Sequence, residues 1–413
     1  MRLLNFLLPT MAMGVAGSKP MYPRLDAPIP PSEDPWYAAP HNFEKSAPGT
    51  VFKIRHAPGN LSSIFGASAA YNILYRTTDS QYKPTWAVTT LYAPPKNKTT
   101  PEPIPFLTWL YPYDSNSVDA SPSYLFYTDQ PFLSDLPAAI ARGWYVSVPD
   151  YEGPLASFCA GVMTGHAVLD SVRAVKQAGL GVDDRNPAAM WGYSGGGLAS
   201  EWAAELQVQY APELNFVGGV WGSPVANLTV VLENANGMQL AGLIPSFLLG
   251  LVSQYPDAQR YLVSQLRPEK RTAFLAAKNM SWTESIAAFA GQDFGTYFKG
   301  GISDIFAPEM QKALNNDAYS GYHGVPQMPI FVYHAIHDEL ANITLTDALV
   351  DRFCGVGANV RYERNTDGDH LQELADGSAA AVKWLTSAFD GTRATKYSAV
   401  GCVIVNVTVS TPT

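Results

Sequence analysis

Ser194 stands where a hydroxyl could be made nucleophilic. It is the centre of Gly192-Tyr193-Ser194-Gly195-Gly196, straight after the apolar run Ala188–Trp191 and at the start of an Ala-, Leu-, Glu- and Gln-rich stretch reaching Tyr210. A strand, a sharp turn and a helix in that order lift the middle residue above the strand end. Glycine on both flanks leaves room for the turn. The hydroxyl would then sit at a helix N-terminus, where N–H groups favour developing negative charge. G-x-S-x-G alone has many chance matches, and a glycine-rich packing turn is the bland alternative. The strand–turn–helix setting is what gives this copy weight.

A serine hydroxyl needs a base to take its proton. The chain has seven histidines: His41, His56, His166, His323, His334, His337 and His370. On a parallel α/β sheet with such a turn, the acid follows the serine and the histidine follows the acid. That order disfavours the first three. His323 precedes the last strands, and His334 and His337 lie in or just after the strand Ile330–Ala335. His370, in Asp367-Gly368-Asp369-His370-Leu371, follows the strand expected at Asn359–Asn365 and fits the base best. The acid should leave the preceding strand, as Asp338 does in His337-Asp338-Glu339. Glu339 is its rival, Asp347 and Asp351 fall in the next helix, and helix capping is the alternative role for Asp338. Such an acid orients the imidazole and stabilises imidazolium. A tetrahedral oxyanion also needs two donors. One should be the backbone N–H of Gly195. The other should come from Pro112-Tyr113-Asp114-Ser115, the loop after the strand Ile104–Tyr111, since no HGGG sequence is present.

Several elements must position these groups. Trp86–Tyr92, Ile104–Tyr111, Trp144–Val148, Ala188–Tyr193, Phe216–Trp221, Ile330–Ala335 and Asn359–Asn365 read as strands, the last as the final one. Helical patterns at Ser157–Ala178 and Gly195–Tyr210 alternate with them. Alternation of this kind predicts an α/β fold with a mostly parallel central sheet flanked by helices. Residues 18–58 are proline-rich and read as an extended arm on the protein. From 224 to 308 the strand pattern stops, and helical runs such as Ala241–Val252 and Tyr261–Leu275 take over. A stretch this long is not a plain loop. It reads as a helical lid or cap inserted into a core of residues 18–223 and 309–413; a separate helical domain is the alternative.

Residues 1–17, with Arg2 ahead of an apolar run and small residues at Ala16–Ser18, have the layout of a secretory signal peptide. The six sequons at Asn60, Asn97, Asn227, Asn279, Asn342 and Asn406 agree with export and glycosylation. No segment approaches a transmembrane length. With 27 Lys+Arg against 36 Asp+Glu, the net charge of −9 argues against a nucleic-acid partner. The 47% hydrophobic content excludes a disordered chain. Three cysteines in an oxidising compartment suggest one pair and one leftover. Cys354 and Cys402, both C-terminal, are the expected disulfide, and Cys159 reads as a buried thiol in a helix. No CxxC motif or Cys/His cluster suggests a metal.

Taken together, the residues resemble the fungal secretory lipase family, lipase A-like members of the α/β-hydrolase fold. The likeness runs over most of the chain. It is carried by Asp34-Pro-Trp-Tyr37, Tyr113-Asp114-Ser115, Asp150-Tyr-Glu-Gly-Pro154, Gly192-Tyr-Ser-Gly-Gly196, Trp202-Ala-Ala-Glu-Leu206 and the neighbourhoods of Asp338 and His370. The resemblance implies a Ser194–Asp338–His370 triad and an oxyanion hole shared by Asp114 and Gly195. It also implies a lid that binds acyl chains and responds to lipid interfaces. One departure is Ala120, where the family often has a cysteine, so one of its two usual disulfides is expected to be missing and the lid region less tied.

The expected activity is that of a secreted serine carboxylic-ester hydrolase, first a triacylglycerol lipase, using no metal or organic cofactor. The family also holds esterases that deacylate fungal secondary metabolites, trichothecene esterases among them, so the reaction is fixed more tightly than the substrate. A third reading is a non-catalytic binding protein on a hydrolase scaffold. The intact serine, aspartate and histidine set argues against it.

Overall fold

The computed structural model describes residues 27–95, 102–128, 134–398 and 400–411. The signal-peptide reading of residues 1–17 and the sequon at Asn97 lie outside them. Ten strands form one sheet: β1 Val51–His56, β2 Ala69–Thr78, β3 Pro84–Ala93, β4 Phe106–Leu110, β5 Tyr145–Pro149, β6 Ala188–Tyr193, β7 Phe216–Gly222, β8 Ile330–Ala335, β9 Val360–Asn365 and β10 Cys402–Val407. Their order is β1-β2-β3-β5-β4-β6-β7-β8-β9-β10. The pairs among β1, β2, β3 and β5 that begin the sheet are antiparallel, and every later pair is parallel. This is a mostly parallel α/β-hydrolase sheet with flanking helices. Parallel strands need long crossovers, and the helices supplying them cover both faces. Because β4, β6, β7, β8 and β9 run the same way, their carboxyl ends open on one rim. In open α/β sheets that rim is where ligands bind.

The strands missed in the sequence lie at the edges or alternate weakly. β1, inside the expected arm, has the mixed composition VFKIRH and no buried residue. It exists because β2 pairs with it, with a register shift between Val51 and Lys53. β10, not β9, is the last strand, and it lies parallel to β9 at the far edge. Cys354, in the helix Ile343–Gly355, is bonded to Cys402 at the start of β10, which fastens that edge. Cys159 is not in a helix. It occupies a left-handed turn (φ 66°) ahead of the helix Gly161–Gln177.

The core is built around wide rings. Trp109, Trp191, Trp202, Trp221 and Trp384 are all fully or almost fully buried. Each contributes about 1.5–3 kcal/mol or more by leaving water. The Trp202 ring lies against Gly161, where a Cβ would come 2.2 Å from Cε2. The helices Gly161–Gln177 and Gly195–Tyr210 can therefore approach closely beneath the rim. The arm is pinned by charge: Arg55 of β1 reaches Asp34 at 2.6 Å and stacks 4.1 Å over Trp36. Tyr37 continues the chain to Ser123 at 2.9 Å, and the Ser123 hydroxyl donates to Asp150 at 2.6 Å. Two of the sequence motifs, Asp34–Tyr37 and Asp150–Pro154, thus meet through one serine.

Between β7 and β8 there is no strand of the sheet. The chain instead forms the helices Leu228–Ala235, Leu243–Ser253, Pro256–Gln265, Pro268–Ala276, Trp282–Phe289 and Pro308–Asp317. Of these, Leu228–Ala235, Leu243–Ser253 and Trp282–Phe289 bring apolar side chains to the cavity at the rim. Among the described residues no helix is long and apolar enough to cross a membrane.

The disulfide closes a loop of 48 residues, which constrains the unfolded chain far from the rim. Replacing Cys354 and Cys402 by alanine is expected to lower unfolding stability by about 2–4 kcal/mol. Chemical denaturation followed by fluorescence measures this, and turnover per competent molecule should stay unchanged.

Candidate active site

Each group at the site arrives on a loop leaving the carboxyl end of a parallel strand. Ser194 follows β6 and precedes the helix Gly195–Tyr210 with φ 53° and ψ −118°. A side chain in this region costs about 1–3 kcal/mol and persists only where its surroundings enforce it. Here they do. The Ser194 N–H donates to the Gly222 carbonyl of β7 at 2.9 Å. A Cβ on Gly196 would lie 1.8 Å from the Leu110 carbonyl, and one on Gly192 would lie 2.0 Å from the Gly196 carbonyl. The turn is wedged against β4 with no space for side chains.

His370 opens the helix His370–Asp376 after β9. Its Nε2 lies 2.8 Å from Ser194 Oγ, and its Nδ1 lies 2.6 Å from Asp338 Oδ2. A carboxylate only accepts, so the ring carries its proton on Nδ1 and offers Nε2 to the serine. The backbone of His370 is held from two sides. Its N–H donates to Glu339 at 3.1 Å, and its carbonyl accepts from the buried Tyr193 hydroxyl. Asp369 faces away from the ring and caps the helix, accepting from Gln372 N–H at 2.9 Å.

Asp338 leaves β8 and takes four donors. Oδ1 accepts from the Leu340 and Ala341 N–H groups at 3.0 and 2.7 Å. Oδ2 accepts from His370 and also from His334 Nε2, 3.0 Å away. Asp338 does not cap the next helix, a role that falls to Asn342; its backbone donors fix the turn while its other oxygen meets the imidazoles. Burial disfavours the charged form, but the imidazole donors outweigh it and hold the Asp338 carboxyl well below the usual carboxylate range. His334 was weighed in the sequence only as a base. Its place beside Asp338 went unread, although an i, i+4 spacing across a strand end could have signalled it. The remaining histidines are elsewhere: His41, His56 and His337 are exposed, His166 stacks on Tyr210, and His323 packs on Trp202.

Asp114 follows β4 in a left-handed turn (φ 43°). It is buried, and its Oδ1 has no hydrogen-bond partner among the described residues. That oxygen stands over Gly195, where a Cβ would be only 2.0 Å away. Gly195 is the first residue of its helix, so its N–H has no partner inside the helix. Burial pushes the Asp114 carboxyl up to about 7, with the charge of His370 pulling the other way. Below that pH Asp114 carries a proton and can donate it in a hydrogen bond.

These groups share a cavity of about 370 Å³ with Phe158, Cys159, Leu198 and Leu374 from the core side. The opposite wall comes from the segment between β7 and β8, through Leu228, Val231, Ile244, Phe247 and Trp282 of its helices and Leu240 of a turn. Burial pushes the Cys159 thiol well up, so it is a neutral part of the wall. Among the described residues no group of His, Cys, Asp and Glu is arranged to hold a metal ion.

The family model described as secretory lipase matches residues 129–397. The chain belongs to the secretory lipase family. It is similar to a trichothecene C-3 esterase of Fusarium sporotrichioides, with 50% identity over 93% of this chain and 89% of the relative. It is 37% identical to lipase A of Arthroderma benhamiae, over 89% of this chain and 81% of the relative. The crystal structure of Candida antarctica lipase A superposes with a TM-score of 0.84 at 26% identity, covering 93% of this chain and 91% of that one. As a secretory lipase family member, the chain is an ester hydrolase.

Two outcomes follow from the Asp114–Gly195 contact. Gly195→Ala drives a methyl group into Asp114 and should lower kcat/KM by about 10²–10³ while the fold survives, as measured by turnover and circular dichroism. The proton on Asp114 is lost as pH rises through about 7. If that proton serves the reaction, kcat/KM falls on the same rise. Asp114→Asn, whose amide donates at every pH, should lack the fall.

Proposed function

We propose that this family member is a secreted serine carboxylic-ester hydrolase with Ser194 as nucleophile, His370 as base and acid, and Asp338 as the group that orients His370. Ser194 Oγ attacks the ester carbonyl carbon as its proton passes to His370 Nε2. The oxyanion is received by the Gly195 N–H and the protonated Asp114. Collapse expels the alcohol, which takes the proton from His370 and leaves an acyl-serine. Water, deprotonated by His370, then releases the acid and restores the serine. The reading rests on one observation above the others: hydroxyl, imidazole and carboxylate are in line at 2.8 and 2.6 Å beside an apolar chamber.

For the substrate, an acylated terpenoid alcohol of the trichothecene type has the first place, because the relative at 50% identity is named as a trichothecene C-3 esterase. The second reading is triacylglycerol lipolysis. The apolar wall favours it, since an acyl chain asks for nothing polar beyond the reacting carbonyl. In either case the helices from Leu228 to Phe289 act as a lid over the acyl group, and in lipolysis they would meet the lipid surface. Export by residues 1–17 belongs to the same proposal, as does glycosylation at the six sequons. Of those described, Asn279, Asn342 and Asn406 are exposed, while Asn60 and Asn227 are half-buried.

A substrate panel on purified protein tests this. Acetylated terpenoid alcohols should be turned over far faster than emulsified triolein, and Ser194→Ala should lose about 10⁴-fold or more on every ester. Turnover of the emulsion alone would transfer the first place to lipolysis. Undiminished turnover by Ser194→Ala would remove the mechanism.

A further inference from the structure

We infer that His334 is a positioning residue of this site, and that its Nε2–H fixes the orientation and charge of the Asp338 carboxylate that holds His370. The inference rests on the mechanism proposed above.

His334 sits near the end of β8 and is wholly buried. Its Nε2 is 3.0 Å from Asp338 Oδ2 and 2.8 Å from the Ala341 carbonyl oxygen. Both of those atoms only accept, so Nε2 bears the hydrogen. Its Nδ1 is 3.1 Å from Thr346 Oγ1, which in turn lies 3.3 Å from the Pro224 carbonyl. Both ring nitrogens are thus engaged, and a flip of the ring would break the set. A ring present only to fill space would need no such partners.

The consequence lies at one oxygen. Oδ2 of Asp338 receives His334 and His370 together. The donor from His334 keeps that oxygen turned towards His370 and takes up part of its electron density. Removing it has two effects. The carboxylate gains freedom to rotate, which costs turnover. The carboxylate that remains also pairs more strongly with a protonated His370, which shifts the acid limb of activity to higher pH. The other charged or titratable groups around this spot are Asp114, which the charge of His370 acts on, Glu339 and Glu373 near His370, and Arg364, which lies opposite His334 in β9 and is paired with Asp347 at 3.0 Å.

The test compares His334→Phe, which keeps a ring but no donor, with His334→Gln, which restores an N–H near the Nε2 position. Competent sites are counted by fluorophosphonate labelling of Ser194, and kcat and KM are measured per labelled site from pH 5 to 9. His334→Phe should lose roughly 10- to 100-fold in kcat with KM little changed. Its acid limb should move up by about half a pH unit or more, and His334→Gln should recover most of both. A His334→Phe protein with wild-type kcat and an unmoved acid limb, but a lower melting temperature, would show a packing role and overturn the inference. Should the Phe variant not fold, ¹⁵N NMR of the unaltered protein decides. The hydrogen on Nε2 of His334 is the expected result, and a hydrogen on Nδ1 alone refutes it. Absence of Ser194 labelling in the unaltered protein would instead sink the underlying mechanism.

Discussion

A carboxylate has been taken out of water at the end of β8, and much of the site follows from keeping it charged there. An uncompensated buried charge is untenable and would neutralise itself. Asp338 is compensated by four donors, two from the backbone of its own turn and two from imidazoles. The backbone pair holds the turn that leads to Asn342, which caps the helix Ile343–Gly355. The imidazole pair ties β8 to the loop after β9. His370 is then pinned at its carbonyl by Tyr193 and at its N–H by Glu339, so the elbow, the acid loop and the histidine loop lock one another. The strained φ of Ser194 persists for the same reason: β4 and β7 both press on the turn.

Much of this was legible in the sequence because local signals agreed with the global fold. The run at β6, the glycines of the elbow and the Ala-, Leu-, Glu- and Gln-rich composition of Gly195–Tyr210 all point to one strand–turn–helix unit, and its bounds match the structure. Chain order sets aside His41, His56 and His166, and the position after the strand Asn359–Asn365 singles out His370 from the rest. What could not be read depended on partners distant in sequence. β1 carries no apolar alternation and becomes a strand only because β2 pairs with it. β10 is a short edge strand that follows three helices, and it is held by its pairing with β9 and the cross-link to Cys354, both distant in sequence. Cys159 falls beside a helical pattern, but its left-handed backbone belongs to a turn. Asp114 came from family resemblance, since nothing in its local sequence announces a buried carboxyl without a partner.

The segment between β7 and β8 supplies one wall of the cavity and almost none of its polar groups. It brings leucine, isoleucine, phenylalanine and tryptophan side chains to the rim, while nearly every polar group at the cavity belongs to the strand ends. Wall and chemistry are separated by origin. Substitutions in the wall can therefore change the ester that fits without touching the groups that act on it. That separation agrees with one family holding proteins named as lipases and proteins named as trichothecene esterases.

The apolar wall also sets the electrostatics. Low dielectric strengthens every remaining interaction and penalises every unpaired charge. Asp114 lines this chamber and Asp338 lies buried behind His370, and their surroundings drive the two carboxyls in opposite directions. Asp338, with four donors, is held ionised, whereas Asp114, whose Oδ1 has no partner, is pushed up to about 7. Under the proposed mechanism this is a division of labour. An ionised acid can orient and stabilise an imidazolium, and a neutral acid can donate to an oxyanion. Where environments drive two titratable groups apart in this way, roles can be assigned from surroundings alone. The assignment needs no difference in residue type, only a difference in how many N–H groups point at each aspartate.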